Sequence, residues 1–191
     1  MSTPREPPEA KLFIGLLFAD FEARDQTLEA FLGRFGSLDF LMEARPFTYT
    51  AYYEREMGRD LHRQVCSFLR LVPVESLPDI KLFSNQLEIQ LSQNGKRRIN
   101  IDPGLLTEER AVLATGKNYT HRIYLRNGIY ADLTLIYHKG AYEKLPWTYP
   151  DYQEATLLHY FGALREKLHF QRHEQLPRKR QRNLLNSGGL S

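Results

Sequence analysis

The dipeptide Asn127-Gly128 lies between two runs of alternating β-branched, aromatic and polar residues, Tyr119–Arg126 and Ile129–Tyr137. Both residues accept the positive φ that a two-residue hairpin turn demands, so the pair is a strong short-range hairpin signal. It commits this stretch to antiparallel sheet. Just upstream, Arg98–Asp102 and Arg110–Thr115 read as a second strand pair, joined across Pro103-Gly104-Leu105-Leu106-Thr107. There Asp102-Pro103-Gly104 is either a plain turn or a carboxylate held at a strand end, beside a glycine that lets a ligand approach.

The flanking segments supply the remaining elements. Lys11–Ala19 is a short apolar run that suits a strand buried on both faces. Leu28, Phe31, Leu32 and Phe35 then recur at helical spacing, with Asp25 as N-cap and Gly36 as stop, and a second strand follows near Leu38–Ala44. The run FTYTAYYERE reads as a strand that turns at Met57–Asp60 to pair with LHRQVCSFLRLV. Helix entry is ambiguous between Ser76-x-x-Asp79 and Asn85-x-x-Glu88, and the reading favoured is a helix from Asn85 to Gln93. A last helix, capped by Asp151, carries Leu157, Phe161, Leu164 and Leu168 on one stripe. Hairpins with flanking helices, the last one long, predict an α+β fold with a mainly antiparallel sheet. Residues 1–10 read as a disordered lead, 11–172 as one globular domain, and 173–191 as a basic, disordered tail.

Composition excludes several classes. No apolar run approaches the ~18 residues of a membrane span, and the polar, Pro-containing N-terminus does not resemble a secretory signal. The single Cys66 rules out an internal disulfide and reads as a packed thiol, so a cytoplasmic protein is expected. The net charge is +3, yet residues 171–191 hold five basic residues against one acid, leaving the body at −1. Phosphate contacts with a nucleic acid are therefore expected through the tail segment PRKRQR.

Candidate functional side chains concentrate between Arg98 and Asp132. Arg98, Asn100 and Asp102 share one face of their strand by alternation. With a two-residue turn, His121 and Asp132 become diagonal neighbours, roughly 7–8 Å apart at Cβ, as a general acid–base pair requires. A three-residue loop would instead set Arg122 opposite Asp132 as an ion pair. The two-residue register is favoured and puts Arg122 on the other face. Asp102, Asp132, Glu54 and Glu56 could offer oxygens to a hard cation, but exposed acids are commoner than ligands, and no metal site is expected. Gly116-Lys117 lacks the upstream glycine and following Ser/Thr of a phosphate loop. Trp147, Tyr149 and Tyr152, stiffened by Pro146 and Pro150, read as a lid over the core or as a stacking surface.

Seven segments in order, KLFIGLLF, YYEREMG, LPDIKLFSNQLE, RRINIDPGLL, VLATGKNYTHRIYL, GIYADLTLIY and LPWTYPDY, resemble a family of uncharacterised bacterial proteins defined by a domain of unknown function. The resemblance covers about residues 11–152. It implies that Asp79, Lys81, Asn85, Arg98, Asp102, Lys117, His121, Arg122 and Asp132 belong to the family's pattern. Some members carry the label "GTP-binding protein", but this chain has neither a phosphate loop nor an N-K-x-D motif. The expectation is a ligand-binding or enzymatic domain for an anionic small molecule, phosphorylated compounds included. Arg98, Lys117, Arg122 and Asn100 would hold the ligand; His121, Asp132 and Asp102 would handle protons. The alternative is an RNA- or protein-interaction module using the aromatic segment and the tail.

Overall fold

The computed structural model describes residues 3–175. In chain order the elements are β1 (Ala10–Phe18), α1 (Phe21–Phe35), β2 (Leu38–Leu41), β3 (Arg45–Pro46), α2 (Glu54–Met57), β4 (His62–Val72), α3 (Leu77–Gln90), β5 (Ile99–Leu106), β6 (Arg110–Thr115), β7 (Arg122–Arg126), β8 (Ile129–His138), β9 (Ala141–Lys144) and α4 (Ala155–His173). The strands form one antiparallel sheet in the order β2-β4-β1-β5-β6-β8-β7, with β3 on β4 and β9 on β8. The α+β expectation is met.

Strand β1 is buried along its whole length, and its alternation divides the core. Leu12, Ile14, Leu16 and Phe18 pack with Phe31, Phe68, Ile80 and Leu87 beneath α1 and α3. Phe13 faces the other way, into a cluster with Leu135, Tyr152, Phe161, Leu164 and Leu168 beneath α4. The expected α4 stripe is therefore the one that is buried. Helix α1 begins earlier than expected: Asp20, not Asp25, is the N-cap, accepting from the Ala23 amide at 3.1 Å. Gly36 closes that helix with a φ of 86°, as a stop residue should.

Other local expectations also fail. FTYTAYYERE is not a strand; it is an irregular aromatic loop ending in the single turn of α2, and β4 pairs with β1 and β2 instead. Helix α3 starts at Leu77 because Pro78 occupies its first turn, where a missing N–H costs nothing. Asp102-Pro103-Gly104 is no turn but mid-strand: Asp102 lies opposite Gly15, and Gly104 lies opposite Phe13. Gly104 is there for space, not for a ligand. A Cβ on it would fall 2.3 Å from the Phe13 ring and 2.8 Å from the Val112 carbonyl.

This close approach has a measurable consequence. Gly104→Ala should lose about 1–3 kcal/mol by overpacking. Gly33→Ala, in the last turn of α1 with nothing within 4 Å of the added atom, should be neutral or stabilising by up to about 0.5 kcal/mol. Urea unfolding of both variants checks the contrast, and equal effects would contradict it.

Candidate functional site: a cavity where two strands part

Strands β5 and β6 pair only from Gly104 to Leu106, then diverge. Beyond that point the edge of β5 needs other partners, since an unpaired buried backbone group is costly. Helix α3 supplies them with side chains. The Ile101 amide donates to Glu88 Oε1 at 2.7 Å, and the Ile101 carbonyl accepts from Lys81 Nζ at 2.7 Å. Lys81, Asn85 and Glu88 are spaced at i, i+4 and i+7, so one helix face delivers all three. The fork left between the strands is a cavity of about 700 Å³, within the range of small-molecule sites.

Its floor is an ionic network. Along the cavity side of the sheet, Leu17 lies opposite Arg63 and Asn100, and Gly15 lies opposite Asp102. The Arg63 guanidinium is 3.3 Å from Asp102 and 3.0 Å from Asp151. Gly15 lets it lie flat, since a Cβ there would meet Arg63 Nη2 at 2.8 Å and the Tyr152 hydroxyl at 2.7 Å. Asn100 donates to Asp102 at 2.8 Å and accepts from Arg97 at 3.0 Å. Arg97 is held in turn by a two-pronged contact with Glu56, at 2.8 and 2.7 Å, and reaches Glu88 at 3.5 Å.

Burial governs the protonation of these groups. It pushes the Asp151 carboxyl upward, against the pull of Arg63. It likewise raises Glu88, whose ionised form Lys81 and the Ile101 amide favour. The Tyr53 phenol is pushed up to about 12 by burial and then by the nearby Asp102 charge. Asp102 itself keeps 31% of its side chain exposed, more than its network neighbours Asp151 and Glu88. It can accept a hydrogen bond from a ligand. Tyr152, in contrast, is 1% exposed, and its hydroxyl has no hydrogen-bond partner in the structure.

The opposite wall comes from the Asn127-Gly128 hairpin. Both turn residues have positive φ, 55° and 76°, and Arg126 faces Ile129 as a two-residue turn demands. An irregularity at Leu125 then shifts the register, so that Tyr124 faces Tyr130 and Arg122 faces Asp132. The favoured register, which put Arg122 on the face away from Asp132 and so set Ile123 opposite that carboxylate, is thereby corrected. Bulges of this kind re-aim side chains next to sites, and this one removes the conflict between Arg122 and His121. Both now reach the same Asp132 oxygen, Arg122 Nε at 2.8 Å and His121 Nε2 at 3.4 Å. Arg122 also donates to the Lys117 carbonyl at 3.0 Å and to the Tyr149 hydroxyl at 3.2 Å.

The sequence-derived residues therefore separate by position. Asn100, Asp102, Lys117, Arg122 and Asp132 line the cavity. His121 stands behind it, stacked on Trp147 at 4.8 Å with 11° between the rings. Arg98 is outside, bound to Asp20 at 2.6 Å and to Glu22 at 2.9 Å. It precedes the first residue of β5, so strand alternation does not extend to it, and its neighbour Arg97 turns inward. Glu54 and Glu56 do not join Asp102 and Asp132 in a group of metal ligands; Glu56 serves Arg97. Asp151 is a buried partner of Arg63 rather than a helix cap. Cys66 is buried, its thiol pushed up to about 12 by that burial, as a packed thiol should be. The tail segment PRKRQR lies outside the described residues.

A mainly antiparallel α+β domain with a polar cavity in a strand fork is thus defined. The chain belongs to a family known as a domain of unknown function, DUF4416, whose profile spans residues 8–168. No curated protein and no solved structure matches it. Among the described residues no helix is long and apolar enough to cross a membrane.

Proposed function

We propose that the chain binds a small organic anion in the fork between β5 and β6. One observation carries this reading: Lys117. Arg63, Lys81, Arg97 and Arg122 each have a carboxylate within 4 Å in that cavity. Lys117 has none among the described residues, and its ammonium lies over the Tyr52 ring at 5.7 Å. An exposed ammonium at the mouth of a polar cavity suits a phosphate or carboxylate as a point charge. Tyr49, Tyr52 and Tyr149 line the same rim and offer flat faces to a ring on that ligand.

In this reading Arg122 presents a second positive group, aimed by Asp132. Asp132 is steadied by His121, which is clamped on Trp147. His121 and Asp132 then act as positioning residues, and Asp102 accepts a ligand hydroxyl or amine.

A thermal-shift panel of inorganic phosphate, mononucleotides, sugar phosphates and dicarboxylates tests the proposal. At least one compound should raise the wild-type melting temperature by several degrees. Lys117→Ala, at an exposed position, should weaken that compound about tenfold or more, the worth of a charge-assisted hydrogen bond. A silent panel, or a response that Lys117→Ala leaves intact, would remove the reading.

A further inference from the structure

We propose that Glu108, His169 and His173 form a second site, one that takes a divalent transition metal of the zinc class. None of the three lines the cavity. His169 and His173 stand one turn apart on α4, the spacing at which two imidazoles meet on one helix face. Glu108 reaches them from the turn between β5 and β6. Its two oxygens are 2.8 Å from His169 Nδ1 and 3.0 Å from His173 Nε2, and one donor atom from each residue falls within 4.8 Å of the others. Two nitrogens and a carboxylate oxygen are the donor set of an open, three-ligand zinc centre, with water as the fourth ligand.

The surroundings select the kind of ion. Two guanidinium groups approach the same carboxylate, Arg172 at 3.5 Å and Arg165 at 3.7 Å. Each is anchored on a backbone carbonyl, Arg165 on Glu108 at 2.7 Å and Arg172 on Glu9 at 3.1 Å. Arg172 already donates to Glu108 Oε1, so a bound ion shares that carboxylate with a guanidinium. The charge of the two guanidinium groups opposes a hard cation held chiefly by electrostatics. Zinc, cobalt, nickel or copper, bound through imidazole nitrogen, loses less to that field. Binding exchanges the two imidazole–carboxylate contacts for metal bonds and needs both imidazoles neutral. The last turn of α4 would then be tied to the β5–β6 turn, just before the basic tail begins.

Titration calorimetry of the untagged full chain, stripped of metal and given zinc chloride at neutral pH, tests this. One equivalent should bind with a micromolar or tighter dissociation constant. At a hundredfold excess over that constant, the melting temperature should rise by about 5 °C or more. Cobalt should give the visible absorption of a low-symmetry site. His173→Ala removes a half-exposed side chain, so the fold should survive and zinc affinity should fall at least tenfold; His169→Ala should do the same. His138→Ala, which removes an exposed histidine paired with Glu143, should change nothing. Absence of stoichiometric binding, or binding that persists in His173→Ala and His169→Ala, would overturn the assignment.

Discussion

Arg63→Met is expected to cost about 3–5 kcal/mol, the usual penalty for removing one partner of a buried ion pair. Its side chain is 13% exposed, and its guanidinium is the shared partner of Asp102 and Asp151. Methionine fills some of the volume but leaves two carboxylates facing each other across it. The loss should depend on pH in a defined sense. Asp151 already has its carboxyl raised by burial, and Arg63 is what holds it down. Without Arg63 the folded-state value rises further above the unfolded one. Stability linked to such a group is whole below the unfolded carboxyl range, near pH 4, and is lost as pH climbs through the folded value. The deficit of Arg63→Met should thus be greatest at neutral pH and shrink in acid. Denaturant midpoints at pH 4 and pH 7 measure both, and a deficit that grows in acid would refute the ion-pair account.

Phe161→Ala should be as damaging, at about 3–5 kcal/mol. The ring is wholly buried on α4, edge-on to Phe13 at 4.9 Å and stacked on Tyr152 at 6.1 Å. It joins the helix to β1 and to the wall of the cavity at once. Calorimetric unfolding gives the magnitude. A loss under 1 kcal/mol would mean that α4 does not cover this face of the sheet.

Much of this architecture is legible in the sequence because it follows from short-range signals. The Asn127-Gly128 turn, the apolar run of β1 and the Leu157–Leu168 stripe each encode their own conformation. What escapes is whatever depends on partners far away along the chain. FTYTAYYERE has the β-branched and aromatic content of a strand, yet β4 prefers the ready edges of β1 and β2. The bulge at Leu125 leaves no mark in composition, and it alone decides whether Arg122 or Ile123 faces Asp132. Lys81 and Glu88 are hidden for a third reason. Their work is to replace a missing strand on Ile101, which becomes visible only once β5 and β6 are seen to diverge. Their i, i+7 spacing on one face of α3 is a signal that starting the helix at Asn85 throws away. Arg63 sits in a strand of mixed polarity that suggested no site, and Asp151 looked like a cap because a cap is the commonest use of Asp before a helix.

Amide-resolved NMR titration of the full chain, using inorganic phosphate and then mononucleotides, probes the cavity most directly. The expected result is a saturable set of shifts centred on Gly116, Lys117, Asp102 and Tyr149, lost in Lys117→Ala. Shifts confined to residues 177–182, or spread evenly over the surface, would contradict a ligand site between β5 and β6.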